Sequence, residues 1–317
     1  MAGEGLRVIA DVGGTNARFA IARDGRYDRL IHVEVARYTS LHDALLDYLN
    51  DLPPALWPSE AAIAVAGPVL GDRVTMTNLA WSFSASELKR GLGLAALKVF
   101  NDFAATAMAV PYLPPKDVFP VGPSNPEAKG PIGVIGPGTG LGVSSLVPHD
   151  GRWVMVAGEG GHVTLPASTR EEDAVIAVLR RRWDHVSAER VLSGSGLVNL
   201  YQAVCAVAGK PALSLTPADV TAHAIAGTDA DCVRAFALFC ALLGTVAGDL
   251  ALTIGARGGV YIAGGILLRF KEMFAASAFR ARFEAKGRFA DYLRAIPTCL
   301  ILEESPALLG LAKAPLD

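Results

Sequence analysis

Apolar and polar positions along this chain fall into blocks that predict an α/β protein. Leu6 to Ala10 is nearly all apolar, the pattern of a strand buried on both faces. Asp11-Val12-Gly13-Gly14-Thr15-Asn16 follows as a turn, and Ala17 to Ala22 returns as a second strand. A third strand is predicted near Ile31 to Ala36, a helix near Leu41 to Leu49, and another apolar strand from Ala61 to Ala66. Ser84-x-x-Glu87 has the spacing of a capping box, opening a helix that Gly91 closes. Leu97 to Phe100 reads as a strand running into Asn101-Asp102 and a helix from Phe103.

The same plan recurs further along. Pro131 to Ile135 is a strand, Gly136 to Gly140 a turn, Leu141 to Val147 the return strand and Arg152 to Val156 a third. A helix follows from about Arg170 to Arg182. Gly258 to Gly265 is a buried strand bracketed by glycine pairs. Thr216 to Ala256 reads as helical, opened by an N-cap threonine and a first-position proline. Thr298 to Leu302 reads as a strand, and Ser305-Pro306 caps a helix from Ala307 to Lys313. Two glycine-turn hairpins, each leading a mixed α/β stretch, indicate an internal duplication and two similar domains.

Composition narrows the class. The chain has 317 residues, 51% hydrophobic and 19% charged, with a formal net charge of −2. That balance argues against binding nucleic acid or an anionic membrane through bulk charge. The longest uncharged stretch, Ala235 to Gly248, is shorter than the roughly 20 residues of a membrane span and reads as a buried core helix. No signal peptide is evident, so a cytoplasmic protein is expected. Cys205, Cys232, Cys240 and Cys299 form no CxxC pair and read as buried thiols.

Three glycine-rich turns follow strands, at residues 13–14, 136–142 and 258–265. Glycine lets backbone N–H groups approach and cradle phosphate oxygens, although Gly-Gly also marks a plain hairpin turn. Three such turns, with hydroxyls at Thr15 and Thr139, point to a nucleotide site. Neither the P-loop pattern, nor G-x-G-x-x-G, nor the protein-kinase motifs occur.

What remains resembles the sugar-kinase, heat-shock-protein-70 and actin superfamily. Within it, Asp11-Val12-Gly13-Gly14-Thr15-Asn16-x-Arg18 resembles the first phosphate hairpin of bacterial glucokinases. Met76-Thr77-Asn78-x-x-Trp81, Asn101-Asp102-Phe103, Gly138-Thr139-Gly140-Leu141-Gly142, Glu159-Gly160-Gly161-His162, Glu189 to Gly194 and Gly258 to Gly265 follow in the family's order. Nearly the whole chain is similar to the enterobacterial-type group, outside the related repressor–kinase family.

The resemblance implies a duplicated actin-like (ribonuclease H-like) two-domain α/β fold with a cleft between domains. It places 1–110 plus 303–317 in a small domain and 111–302 in a large one. It implies ATP and glucose as substrates, Mg²⁺ as cofactor, transfer to the sugar's 6-hydroxyl and a homodimer. Asp102 is then the general base; a plain N-cap is its other reading. Asn101, Asp102, Glu159, His162, Glu189 and Gly140 are expected around the sugar. Asp11, Gly13, Gly14, Thr15, Asn16, Gly138, Thr139, Gly140, Gly264 and Gly265 are expected around the nucleotide, with Asp11 near Mg²⁺ through water. The histidine of Glu159-x-x-His162 is not followed by a cysteine-rich motif, so no zinc is expected. Thr164 departs from the family, where many members carry aspartate. Arg18 reads as structural or peripheral, and Trp81 as core. Rival readings are a kinase for another hexose, a non-catalytic sugar sensor, and an actin-like polymer or chaperone ATPase.

Overall fold

The structure is a computed structural model and describes residues 3–76, 79, 81–123, 125 and 128–316. Thr77 and Asn78 of the Met76–Trp81 motif lie outside the described residues. The chain divides into two compact units: Met1–Pro114 with Met155–Ala157 and Glu303–Asp317, and Pro115–Val154 with Gly158–Leu302.

The first unit contains, in order, β1 (Gly3–Val12), β2 (Asn16–Arg23), β3 (Arg26–Glu34), α1 (Leu41–Asn50), β4 (Pro58–Val65), β5 (Arg73–Thr75), β6 (Ser82–Ser84), α2 (Ala85–Gly91), β7 (Ala96–Asn101) and α3 (Asp102–Ala109). Its five-stranded sheet runs β3-β2-β1-β4-β7. β1 is antiparallel to β2 and parallel to β4, which is parallel to β7. Alternation along β1 serves two cores. Leu6, Val8, Ala10 and Val12 join one cluster with residues of α1 and α2. Ile9 turns to the other face, where Ala20, Ala62 and Phe100 meet α3. Trp81 is buried in the first of these clusters, in keeping with its reading as core.

The second unit contains β8 (Val118–Pro120), β9 (Ile132–Pro137), β10 (Leu141–His149), β11 (Arg152–Gly158, except its Met155–Ala157, which group with the first unit), α4 (Arg170–Leu179), α5 (Gly194–Val207), α6 (Pro217–Ala226), α7 (Ala230–Ile254), β12 (Gly259–Ile262), α8 (Gly265–Leu268), α9 (Lys271–Ala275), α10 (Phe279–Glu284), α11 (Ala290–Arg294) and β13 (Thr298–Ile301). Its six-stranded sheet runs β11-β10-β9-β12-β13-β8. β9 is antiparallel to β10 and parallel to β12, which is parallel to β13. Its first five strands therefore repeat the order of the first sheet, and β8 adds an antiparallel edge.

A last helix, α12 (Pro306–Lys313), belongs to the first unit and packs on α3. A Cβ at Gly310 would overlap the carbonyl of Ala105, so only glycine permits this crossing. Arg7 of β1 reaches the same helix, donating from Nη1 to the carbonyls of Leu311 (2.9 Å) and Ala314 (2.7 Å).

Several local expectations are corrected. The helical stretch from Thr216 to Ala256 is two helices, because Gly227 (φ +67°) ends α6 in the left-handed region and Asp229 caps α7. Ser84 accepts from Glu87 N, and the acid that serves this helix start is Asp72, whose carboxylate accepts from Ser84 Oγ at 2.5 Å and from Ser86 N at 2.8 Å. Gly91 is the last residue of α2, and the left-handed residue is Gly93 (φ +65°). Ser305 makes no side-chain cap; its carbonyl accepts from Leu308 N at 3.1 Å instead. Helix α7, of 25 residues, outlasts the uncharged stretch and is long and apolar enough to cross a membrane by composition. Within its most apolar window 78% is buried in the protein, as befits a core helix.

All four cysteines are buried free thiols. Burial pushes Cys232 and Cys240 up to about 12 and Cys299 to about 11. The folded state keeps these protons where the unfolded chain releases them near 9, so stability is lost as pH climbs from 9 towards 12. A thiol-reactive disulfide reagent at pH 8 is expected to label the native protein very slowly and all four thiols once denaturant unfolds it. Rapid native labelling would contradict this.

Candidate functional site

The residues singled out in the sequence fall into two sets, one in each unit. In the first, β1 ends at Asp11-Val12 and β2 begins at Asn16. The turn between them is closed by Gly13 N donating to Asn16 O at 2.9 Å, and Thr15 O accepts from Val35 N at 3.0 Å. Thr15 and Asn16 are exposed. The hairpin register sets Asp11 opposite Arg18, and Arg18 Nη1 approaches Asp11 Oδ2 at 3.3 Å. Burial pushes the Asp11 carboxyl above its ordinary range while Arg18 pulls it down. The charge pair gives Arg18 a place beside the turn rather than at the periphery. Its sequence signal was the placing of 11 and 18 at equal distances from the Gly14–Thr15 bond, the centre of the hairpin turn.

Asn101 and Asp102 stand at the same edge of this sheet. Val12 pairs with Val65 and Val65 with Asn101, so the carboxyl ends of β1, β4 and β7 lie in one row. Open α/β sheets bind ligands at that edge. Asn101, not Asp102, is the N-cap of α3: its Oδ1 accepts from Phe103 N (3.0 Å) and Ala104 N (3.1 Å). Its Nδ2 donates to Gly67 O at 3.2 Å. Asp102, half-buried, is the first helical residue, and its Oδ1 accepts from Phe103 N at 2.8 Å.

In the second unit, Gly136 and Pro137 belong to β9, and the turn is Gly138-Thr139-Gly140. Gly138 N donates to Gly140 O (2.8 Å) and Gly138 O accepts from Gly194 N (2.9 Å). Glu189 lies directly beneath. Its Oε2 accepts from Leu141 N at 2.9 Å, and a Cβ at Gly140 would come within 2.5 Å of the same oxygen. Glu159 to His162 form a tight turn over β10, His162 N donating to Glu159 O at 3.0 Å. From there the chain pairs with the segment entering Glu189: Leu165 N donates to Val186 O (3.0 Å) and Ala188 N to Val163 O (2.9 Å). Glu159 and His162 are exposed and Glu189 half-buried. Thr164 joins the same ladder, and its Oγ1 lies 3.1 Å from His185 Nε2.

Gly161 makes this arrangement possible, because any Cβ there would overlap the Leu141 carbonyl. Gly161→Ala is expected to push the Glu159–His162 turn off β10 at a cost of about 1–3 kcal/mol. Chemical denaturation checks this; a variant as stable as wild type would refute it.

Gly264 (φ +105°) sits against the Pro137 carbonyl where no side chain fits, which brings the third glycine turn to the second. Beside it opens a cavity of about 370 Å³ lined by residues of α5, α6 and α8, among them Gly194, Ile225, Gly265 and Arg269. That cavity went unseen in the sequence, since its lining is scattered from residue 194 to 270.

Two sheets of one strand order, with glycine turns and polar residues at their strand ends, define a mixed α/β protein with the architecture of solved glucokinases. The glucokinase from an Antarctic psychrotroph is 37% identical, with a TM-score of 0.90 covering 97% of this chain and 98% of that one. The glucokinase of Nitrobacter hamburgensis is 64% identical over 312 residues, 98% of both chains. That of Chromobacterium violaceum is 48% identical over 307 residues, covering 96% of this chain and 88% of that protein. Residues 8–316 match the glucokinase family, and the chain belongs to it.

Proposed function

We propose that this protein transfers the γ-phosphoryl group of ATP to the 6-hydroxyl of glucose, releasing ADP, with Asp102 as general base. The observation that carries the reading is the division of labour between Asn101 and Asp102. Asn101 caps α3, so the helix does not need the Asp102 carboxylate as its cap. A sugar hydroxyl is a poor nucleophile, and a carboxylate at its proton assists transfer.

The sugar is held, on this reading, by Asn101, Asp102, Glu159, His162 and Glu189, with Gly140 close by. Both lone pairs of Asn101 Oδ1 serve the helix and one N–H serves Gly67, leaving a single N–H for a ligand. Glu189, with one oxygen bound to Leu141 N, still accepts on the other. Such fixed donors and acceptors discriminate against a sugar whose hydroxyl is inverted, because polar groups covered by that sugar would be left unpaired.

Gly13, Gly14, Thr15 and Asn16, with Gly138, Thr139 and Gly140, are proposed to cradle the phosphates. Gly264 and Gly265 border the base. The cavity beside Gly265 has the size of a small-ligand site. Arg269, the charged lining side chain among the described residues, suits an anionic ligand such as a nucleotide. Magnesium fits the residues present: Asp11 offers a hard carboxylate beside the first turn, and an ion that keeps waters and phosphate oxygens asks little more of the protein. Asp11 would hold it through water, and the ion would neutralise phosphate charge.

The repeated strand order supports the duplicated actin-like (ribonuclease H-like) fold with the two units as its domains. Cytoplasmic location and a homodimer complete the proposal; sedimentation reads the latter. The decisive experiment mixes the purified protein with Mg-ATP and a panel of sugars, following ADP and glucose 6-phosphate. Fast turnover with glucose and little with fructose or N-acetylglucosamine is expected. Preference for another hexose would reassign the substrate; tight glucose binding without turnover would make the protein a sensor.

A further inference from the structure

We propose that the hydroxyl of Thr221 reads the nucleobase of the phosphate donor by accepting a hydrogen bond from the exocyclic amino group of adenine. The inference deepens the proposed function and rests on assigning the 370 Å³ cavity to the base. The lining is mostly carbon, from residues such as Leu197, Ala222, Ile266 and Phe270. Among the described residues, two lining side chains, Thr221 and Arg269, carry nitrogen or oxygen. Arg269 has a donor-only guanidinium.

Thr221 is constrained in the opposite sense. Its Oγ1 donates to the carbonyl of Pro217, one turn back in α6, at 2.8 Å. A hydroxyl has one proton, so only lone pairs remain for the cavity. Adenine presents an amino group that can donate to them. A 6-oxopurine presents a carbonyl there, setting lone pair against lone pair. An apolar pocket separates bases of similar shape only weakly, so a polar group of fixed sense decides between them.

The test compares ATP with purine riboside triphosphate, in which hydrogen replaces the 6-amino group. The wild-type chain, Thr221→Val and Ala222→Trp are compared. Wild type is expected to lose about fivefold in kcat/KM on the analogue. Thr221→Val, an isosteric change, is expected to use ATP as poorly as wild type uses the analogue and to treat the two nucleotides alike. A Thr221→Val protein that keeps the wild-type preference for ATP overturns the proposal. Ala222→Trp fills the cavity and tests the assignment beneath it. Calorimetry should show ATP binding lost and glucose binding kept; undiminished ATP binding would overturn the cavity assignment and Thr221's role together.

Discussion

Asp102→Ala should lower kcat by roughly 10²–10⁴ while the chain stays folded. The expectation of a sound fold comes from the local geometry. The cap of α3 is Asn101, whose two bonds to Phe103 N and Ala104 N survive the change. What the helix loses is one bond from Phe103 N and a favourable charge in its first turn, about 0.3–1 kcal/mol for the latter. A change in kcat with little change in KM would mark a group that acts in the transition state rather than in ground-state binding. Asp102→Asn sharpens the test. It keeps the size and an oxygen for Phe103 N but cannot take a proton, so it should fall with the alanine variant. Activity within threefold of wild type in either variant would remove Asp102 from the chemistry.

Gly310→Ala should be among the most destabilising single-methyl additions, costing about 3 kcal/mol. The added Cβ would overlap a backbone carbonyl, that of Ala105, and approach Ala109 N at 3.1 Å. A flexible side chain could swing aside; a backbone within a helix cannot without opening the crossing of α12 on α3. That opening would also loosen Arg7 from Leu311 and Ala314. Chemical denaturation should show a lower midpoint for the transition of the first unit, and a variant as stable as wild type would mean the crossing has slack. Gly5, with open space at its Cβ position but φ +76°, serves as a contrast where only backbone strain is at stake.

Strands β1, β2, β4, β9 and β10 were legible because central strands bury both faces and write themselves as apolar runs. Helix α5 was not: it opens on Ser193-Gly194-Ser195-Gly196, which reads as a loop, and its helical state depends on Ser193 capping Gly196 N and on packing against α7. Strand β8, three residues long, exists because β13 offers it an edge. The glycine turns were visible from composition and family pattern. The bond between Glu189 and Leu141 N spans 48 residues and has no local signature. Nor could the sequence tell which of Asn101 and Asp102 caps α3, since both are good cap residues and the choice lies in one residue's backbone angle.

The position of α12 also sets a timetable for the nascent chain. β1 leaves the ribosome early, but one of its Arg7 bonds waits for a carbonyl 304 residues further on. At about 5–20 residues per second that is a delay of roughly 15–60 s. Through this interval the face of Ile9, Ala20 and Ala62 lacks the Leu308 and Leu311 that will cover it. The intervening Pro115–Val154 and Gly158–Leu302 are all synthesised meanwhile. The part of the protein made first is thus completed last, and the exposed alanine-rich face is where a chaperone would find its opportunity.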